Sequence, residues 1–533
     1  MFSPLPTPEE MSGWDRRCVD EFGLSGRILM ENASREALGV LKEHFGSLRG
    51  RCGVVVAGAG NNGGDGFALA RHLWNLGAKI IVLHTKPRNV YTGDTAYHLE
   101  LAERMDIPCF YLPEYEADFL NKLDFIVDGL LGTGFKGQLR PEFQTWIKRI
   151  NKLGKNGFVL SLDIPSGING ETGEPSPIAV RADATVTFEE AKLGLFLPPA
   201  SDFIGRLTVV KIGVPAFIKH DAPSSHMALT GNLVSLIDEP TATMHKGEAG
   251  HLLILGGSPG LTGAPFLAGL AGLRTGSGLV TIGCPKGLAQ EVKAGCPDIM
   301  TLPLGEGELW DETCFEGLAD HLSRFTTVVL GPGLGRRPGV HAFLKEYVKS
   351  PHLNTIYDAD ALYFLARDQE LMDLLDENAV LTPHPGEMAR FFNVSSADIN
   401  LTRAQYARQF SQQNRLTVIL KGAGTIISGL ENPVYISPFA TPNLALGGSG
   451  DVLSGIIGSL MAQGHDSLTA ARIAVYWHGL AGAALQKTFP YRGNTAQEIA
   501  QILPDVLKEW KNEEGQRHYD ANPLRCCTGN RNS

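Results

Sequence analysis

Several features are missing from this sequence, and each absence removes a class of protein. No apolar run approaches the roughly 20 residues that a helix needs to cross a bilayer. Residues 1–10 are Pro-rich and acidic, with no apolar signal core. Neither a membrane nor a secretory route is therefore expected. The eight cysteines show no CxxC pair and no zinc-ligand spacing, which fits free thiols in a reducing cytosol and a cytoplasmic location. There is no Walker A string, because the only Gly-Lys pair, Gly154-Lys155, is followed by Asn. That argues against P-loop chemistry. An excess of positive charge is also lacking. With a net charge of −10 and a pI near 5.9, the chain gains nothing from non-specific attraction to phosphate polymers. Nucleic acid is thus not an expected partner, although small phosphorylated ligands need only local donors. Neither an internal repeat nor a low-complexity tract is visible.

What is present points to a large α/β enzyme. At 533 residues and 43% hydrophobic content the chain exceeds one ordinary domain and can bury sizeable cores. Its 62 glycines gather after short apolar runs, where turns at ligand sites need them. In the first half, residues 27–41 and 67–76 have helical periodicity. Runs at 54–57, 80–83, 125–127, 158–160, 184–188 and 207–212 read as buried parallel strands. The rhythm restarts at 252–255 and continues through 279–282, 328–330, 355–357, 380–381 and 418–420. Two α/β domains are expected, at 1–222 and 230–515, joined by an exposed connection near 213–231 and followed by a polar tail, 516–533.

The first chemistry-bearing stretch is the turn Asn61, Asn62, Gly63, Gly64, Asp65 between a strand and a helix, where backbone N–H groups can meet an anion. Gly58-x-Gly60-x-x-Gly63 satisfies the dinucleotide fingerprint literally. However, the next strand ends in Leu83-His84-Thr85, with no carboxylate for a ribose hydroxyl. In an open parallel sheet ligands sit beyond the carboxyl ends of the strands. That rule puts Asp128 with Gly132-Thr133-Gly134, and Asp163 with Ser166-Gly167, into the same crevice as the Asn/Gly turn. Asn62, Asp128 and Ser166 offer hard oxygens, suited to an alkali or alkaline-earth cation rather than zinc. Each aspartate could also be a simple helix cap.

The strings NNGGDG, LLGTGFKGQ and SLDIPSG, together with Leu29-Met30-Glu31-Asn32-Ala33, resemble the N-terminal domain of the NAD(P)H-hydrate epimerases over most of residues 8–215. The resemblance implies a Rossmann-like three-layer αβα fold and a potassium ion (K+) on Asn62, Asp128 and Ser166. It also implies substrate contacts from Asn61, Asn62, Gly63, Gly64 and Asp65, from Gly132, Thr133, Gly134, Phe135, Lys136, Gly137 and Gln138, and from Asp163. The implied reaction interconverts the R and S hydrates of NADH and NADPH (NADHX and NADPHX) at C6 of the nicotinamide ring. Asp163 is the candidate acid/base, since proton transfer there needs a positioned titratable group.

The second stretch, Gly447-Gly448-Ser449-Gly450-Asp451, runs into a helix whose apolar residues keep helical spacing. Its free N–H groups form a cradle for a phosphoryl group. Asp451 sits in the first turn, a position expected to favour its charged form, and can take a proton from an attacking hydroxyl. It could equally be an ordinary first-turn aspartate. Loops follow the other strands in order: Gly256-Gly257-Ser258, Leu261-Thr262-Gly263-Ala264-Pro265, Gly331-Pro332-Gly333, Asp358-Ala359-Asp360, Thr382-Pro383-His384-Pro385 and Lys421-Gly422-Ala423-Gly424-Thr425.

In that order they resemble the ADP-dependent (S)-NAD(P)H-hydrate dehydratases, with a ribokinase-like αβα fold, over about residues 230–510. The resemblance implies that Ala264, Gly333, His384 and Asp451 contact the hydrate. It implies that Lys421, Gly422, Ala423, Gly424, Thr425 and Gly450 hold the nucleotide, and that Asp451 is the base. ADP is then the co-substrate and Mg2+ accompanies the transferring phosphates. His384 could instead be a packed histidine capping a turn. The fused arrangement resembles bacterial and archaeal enzymes, which favours ADP over ATP, and enzymes of this kind are often symmetric, so a homo-oligomer is expected. Two other readings stay open: a ribokinase-like small-molecule kinase with an accessory nucleotide-binding domain, and a non-catalytic nucleotide-binding scaffold.

Overall fold

The computed structural model describes residues 2–111, 123–135, 137–350, 353–430 and 433–517. Two compact units divide the chain, one holding Ser3–Met227 and the other beginning at Ala228. Among the described residues no helix is long and apolar enough to cross a membrane.

In the first unit Ser25 caps the helix Gly26–Phe45, its hydroxyl accepting from Arg27 N. Leu29, Ala33, Ala37, Val40 and Leu41 recur at helical spacing and are buried against the sheet core. Seven strands follow the order Cys109–Tyr111, Lys79–His84, Cys52–Ala57, Phe125–Gly129, Phe158–Leu162, Ala184–Phe188, Arg206–Val210. Every neighbouring pair is parallel. Read in chain order this is 3-2-1-4-5-6-7, a Rossmann-like sheet whose direction of growth reverses between Cys52–Ala57 and Phe125–Gly129.

In the second unit the strands of residues 251–436 run Val434–Ile436, Ile426–Ser428, Thr417–Leu420, Val380–Leu381, Asn354–Tyr357, Thr327–Leu330, His251–Leu255, Leu279–Pro285, Met300–Leu304. They are parallel except for the antiparallel pairings made by Ile426–Ser428. Here the reversal lies between His251–Leu255 and Thr327–Leu330. This is the ribokinase-like αβα unit.

Three expectations change. The Asn/Gly turn is not a loop ahead of a helix at 67–76, because the helix is Asn61–Asn75 and the turn is its first turn. The connection near 213–231 is not simply exposed: Ile212, Val214 and Ile218 lie in the core of the first unit. A stretch rich in Pro, His and Ser hides that, because its apolar residues are interrupted too often to show a period. Of the polar tail, residues 518–533 lie outside the described residues, and 516–517 close the helix Ala496–Arg517.

Candidate active sites

At the first reversal point the backbones come so close that only glycine fits. A Cβ on Gly58 would lie 1.9 Å from the Leu130 carbonyl oxygen, and one on Gly63 would lie 1.9 Å from that of Gly58. The helix start is thereby pressed between the strands. Asn62 reaches across it, Nδ2 donating to Leu131 O at 2.8 Å, while its Oδ1 is buried with no hydrogen-bond partner. Asp128 is fully buried. It accepts from Ser166 Oγ at 2.6 Å, Ser166 N at 2.9 Å, Ser161 Oγ at 2.9 Å and Leu130 N at 3.3 Å. Ser166 Oγ in turn accepts from Leu131 N at 2.9 Å. Asn62, Asp128 and Ser166 therefore meet around one peptide, and Gly132 abuts Asn62, a Cβ there falling 3.1 Å from Asn62 Cβ. The orphaned Asn62 oxygen beside a hydroxyl and a carboxylate is a donor set for a hard monovalent cation. Among the described residues no trio of His, Cys, Asp or Glu suits a metal. The rest of the loop is looser. Thr133 and Phe135 are half-buried, Gly134, Gly137 and Gln138 are exposed, as is Asn61, and Lys136 lies outside the described residues.

Asp163 sits in the left-handed region at φ 61°, a conformation that costs a non-glycine residue about 1 kcal/mol or more. Its Oδ1 is ion-paired to Lys192 Nζ and lies 3.3 Å from Thr187 Oγ1 and 3.4 Å from Phe188 N. The Lys192 side chain is only 1% exposed. Its remaining donors go to Phe188 O at 2.8 Å and Thr187 Oγ1 at 3.1 Å. Two further carboxyls face this pair. Burial, reinforced by the charge of Asp163, pushes Asp65 well above the usual carboxylate range. Burial likewise raises Asp15 to about 6, with Lys192 opposing and Asp163 and Glu189 adding to the rise. Asp15 and Lys192 were not read from the sequence. For Lys192 a signal existed: Glu189-Glu190-Ala191-Lys192 follows the strand Ala184–Phe188, and the strand-end rule that found Asp128 and Asp163 applies to it. Asp15 comes from the helix Pro8–Asp20, where nothing local marks it.

The second reversal point is built the same way. A Cβ on Gly256 would meet Pro332 O at 2.1 Å. Gly333, at φ 66°, has room only for hydrogen, with Leu261 O 2.4 Å and Ala264 Cβ 3.3 Å from where a Cβ would stand. Ala264 and Gly333 are thus brought together. Ser258 Oγ donates to Gly333 O at 2.8 Å and fixes that loop. Behind them lies a polar network centred on Asp358, a residue left without a role in the sequence reading. Buried Asp358 accepts from Lys421 Nζ at 2.7 Å, Thr382 Oγ1 at 2.7 Å and Ser454 Oγ at 2.6 Å. Lys421 also underlies the helix start, since a Cβ on Gly450 would fall 3.3 Å from its Nζ. The loop Gly422, Ala423, Gly424, Thr425 is held from below by buried Arg403, which donates to Leu420 O and Lys421 O at 3.2 Å each. Thr425 Oγ1 donates to Gly422 O at 2.8 Å. Ser449 Oγ lies 3.1 Å from His478 Nε2, a ring that burial pushes down to about 4 and so keeps neutral.

Asp451 departs from expectation. Burial pushes its carboxyl up to about 8, with Asp358 and Asp360 adding and Lys421 opposing. The helix terminus supplies the equivalent of only about half a charge, and desolvation beside a second carboxylate outweighs it. His384 caps the helix Pro385–Phe392. Its Nδ1 accepts from Gly386 N at 3.0 Å and Glu387 N at 3.2 Å, leaving the proton on Nε2, 3.4 Å from Glu387 Oε1.

Residues 252–505 match a family model described as NAD(P)H-hydrate dehydratase, and residues 26–194 match one described as YjeF-related protein N-terminus. The bifunctional NAD(P)H-hydrate repair enzyme Nnr of Moorella thermoacetica is 36% identical over 520 residues, covering 96% of this chain and 97% of that protein. Its namesake in Dictyoglomus turgidum is 34% identical, covering 95% and 98%. This chain belongs to the bifunctional NAD(P)H-hydrate repair enzymes. A crystal structure of the ADP/ATP-dependent NAD(P)H-hydrate dehydratase from Bacillus subtilis, co-crystallized with ATP/Mg2+, is 27% identical, covers 52% of this chain and 96% of that one, and has a TM-score of 0.44. Within the repair-enzyme framework the Asn62, Asp128, Asp163 and Lys192 cluster falls in the first matched segment. Asp358, Lys421 and Asp451 fall in the second, and Asp15 lies outside both.

Proposed function

We propose that this member of the repair-enzyme family restores hydrated nicotinamide cofactors in two steps, as an isomerase in its first unit and a lyase in its second. The first unit interconverts (R)- and (S)-NAD(P)H hydrate. The second dehydrates the S form to NAD(P)H at the expense of ADP, giving AMP and phosphate. The observation that carries this reading is the half-buried Asp451 on a helix start whose Gly450 abuts the Lys421 ammonium.

In the dehydratase, Asp451 in its ionised form takes the proton of the C6 hydroxyl as the oxygen attacks the terminal phosphorus of ADP. The P–O bond to AMP breaks. The N–H groups of Gly450 and Asp451 and the Lys421 ammonium face the charge that develops there. The C6–O bond then breaks, phosphate leaves with the electron pair, and loss of a C5 proton restores the dihydropyridine. Phosphorylation is needed because hydroxide is a poor leaving group and phosphate a good one. A carboxylate tuned towards the working pH is a more effective base than one near 4. Ala264, Gly333 and His384 line the hydrate side, and Lys421–Thr425 with Gly450 the nucleotide side. Mg2+, bound with the nucleotide, would offset phosphate charge.

In the epimerase, Asp65, kept protonated, gives its proton to the departing C6 hydroxyl, and Asp163, oriented by Lys192, takes one from the water that returns to the other face. Two carboxyls held apart in protonation by their surroundings make an acid/base pair. Asn62, Asp128 and Ser166 would hold potassium, supplying a fixed positive charge near the phosphate-bearing substrate; the orphaned Asn62 Oδ1 supports this.

Purified protein incubated with mixed hydrate epimers tests both halves. With ADP, both epimers should be consumed, absorbance near ~340 nm (the dihydronicotinamide band) should return, and AMP and phosphate should appear in equal amounts. Without ADP only epimer exchange should occur. Asp451→Ala should remove dehydration while leaving exchange, and Asp163→Asn the reverse. A stable phosphorylated product would instead identify a small-molecule kinase.

A further inference from the structure

Three guanidinium groups surround one tyrosine ring beside the dehydratase crevice. Tyr363 lies on the helix Asp360–Leu365. Arg367 sits 4.0 Å from its ring centroid, Arg336 4.6 Å and Arg390 5.9 Å. The arginines come from three separate segments and all three are exposed. The carboxylates near them are already committed. Asp360 receives Arg336 Nε and Gly335 N, each at 2.9 Å. Asp368 receives His341 at 2.8 Å and Glu370 N at 3.1 Å, and Glu387 receives His384 N at 2.8 Å. Among the described residues Arg336 forms an ion pair, but neither Arg367 nor Arg390 does. Like charges repel when gathered without counter-charge, and ring faces offset only part of that. Two guanidiniums outside any ion pair, with only Glu387 acting on Arg390 at longer range, are therefore a local exception in a protein of net charge −10.

The position of the cluster indicates its ligand. Arg336 directly follows the Gly333–Gly335 loop that lines the hydrate side. Both Arg336 and Arg390 act on the His384 ring, which burial and then Lys421 depress further. The cluster thus borders the crevice at the His384 wall. Guanidinium forks match a phosphate's oxygens two at a time.

We propose that Arg336, Arg367 and Arg390, arrayed on Tyr363, form a binding site for a phosphate group of the dinucleotide hydrate. This rests on the dehydratase reading above. The shared chemistry is phosphate, and the substrate has two sources of it: the pyrophosphate present in both hydrates and the 2′-phosphate present only in the NADPH form.

The test is Arg367→Gln with Arg390→Gln in the full-length chain, assayed with the S hydrates of NADH and NADPH and with ADP varied separately. Loss of two charge-assisted contacts should raise the KM for hydrate by about tenfold to a hundredfold, with kcat within about twofold. A rise for both hydrates places the pyrophosphate on the cluster, and a rise for the NADPH form alone places the 2′-phosphate there. Wild-type KM should also climb with added salt more steeply than that of the variant. Tyr363→Leu, which removes the platform and no charge, should move KM the same way by less. Unchanged KM for both hydrates, or a rise in the KM for ADP instead, overturns the site. A kcat near the wild-type value at saturating hydrate reports that the dehydratase unit is folded. A wild-type protein that dehydrates neither hydrate sinks the functional reading itself, whereas an active wild type with unaffected variants sinks only this site.

Discussion

Asp451 is a residue whose environment works against its ionisation, and that gives it a stability signature separate from catalysis. Its carboxyl titrates near 8 in the folded chain and near 3.9 when unfolded. The folded state thus binds a proton that the unfolded state releases. The resulting penalty is absent below about pH 4, builds between about 4 and 8, and is complete above about 8. Asp451→Asn should therefore raise the melting temperature of the second unit at pH 8.5 and leave it nearly unchanged at pH 4, while dehydration falls by orders of magnitude. The same titration predicts that wild-type kcat/KM rises with pH and levels off above about 8. A variant melting lower at pH 8.5 would show that the carboxylate is stabilised rather than strained. The sequence showed where Asp451 lies, on the first turn after Gly448, but not its charge state, because desolvation and the approach of Asp358 depend on contacts made 93 residues away in the chain.

Lys192 poses the converse case. It is the positive charge that holds Asp15 and Asp65 down, and it orients Asp163. Lys192→Met should leave buried carboxyls without their counter-charge, which typically costs about 3–5 kcal/mol. It should also shift the pH profile of epimer exchange towards higher pH, because the proton donor Asp65, already raised by burial, loses the charge that opposes that rise. Lys192→Arg should recover the profile in part. A lysine that only packs would lower stability without moving the profile.

At the level of elements, both sites depend on helices that begin where strands diverge, and on glycines that permit the approach. A Cβ on Gly455 would lie 2.1 Å from Ala268 O, so the helices Ser449–Ala462 and Gly263–Thr275 cross backbone to backbone. Gly448, at φ 91°, has Leu267 Cδ1 2.6 Å and Ala496 Cβ 2.9 Å from its Cβ position. Gly455→Val should force the helices apart and destabilise the second unit by about 2–4 kcal/mol. Gly448→Ala should cost less overall, about 1–2 kcal/mol, yet lower kcat more, because it displaces the N–H groups that face the phosphoryl group. Chemical denaturation read beside turnover separates the two. Short apolar runs closed by Gly or Asp made these strands legible, and the Gly-rich strings showed where backbones crowd. Helix starts were less legible: in Asn61–Asn75 the glycines that look like a loop are helical, since packing against Gly58 overrides their poor intrinsic propensity. Arg403, which holds the loop 421–425 from a polar helix of weak periodicity, left no mark in the sequence.

For the molecule as a whole, the two sheets carry separate reversal points and separate polar networks, each contained within one unit. A ligand that binds one folded unit stabilises that unit alone, by RT ln(1 + [L]/Kd), or about 2.7 kcal/mol at a hundredfold excess over Kd. Calorimetry of the intact chain should therefore resolve two unfolding events. ADP with Mg2+ should raise only the event that Gly455→Val lowers, and replacing sodium by potassium should raise only the event that Lys192→Met lowers. Asn62→Ala removes the orphaned oxygen that potassium would meet, so it should abolish the second response and spare the first. A single transition shifted by both ligands would mean that the units unfold as one cooperative body.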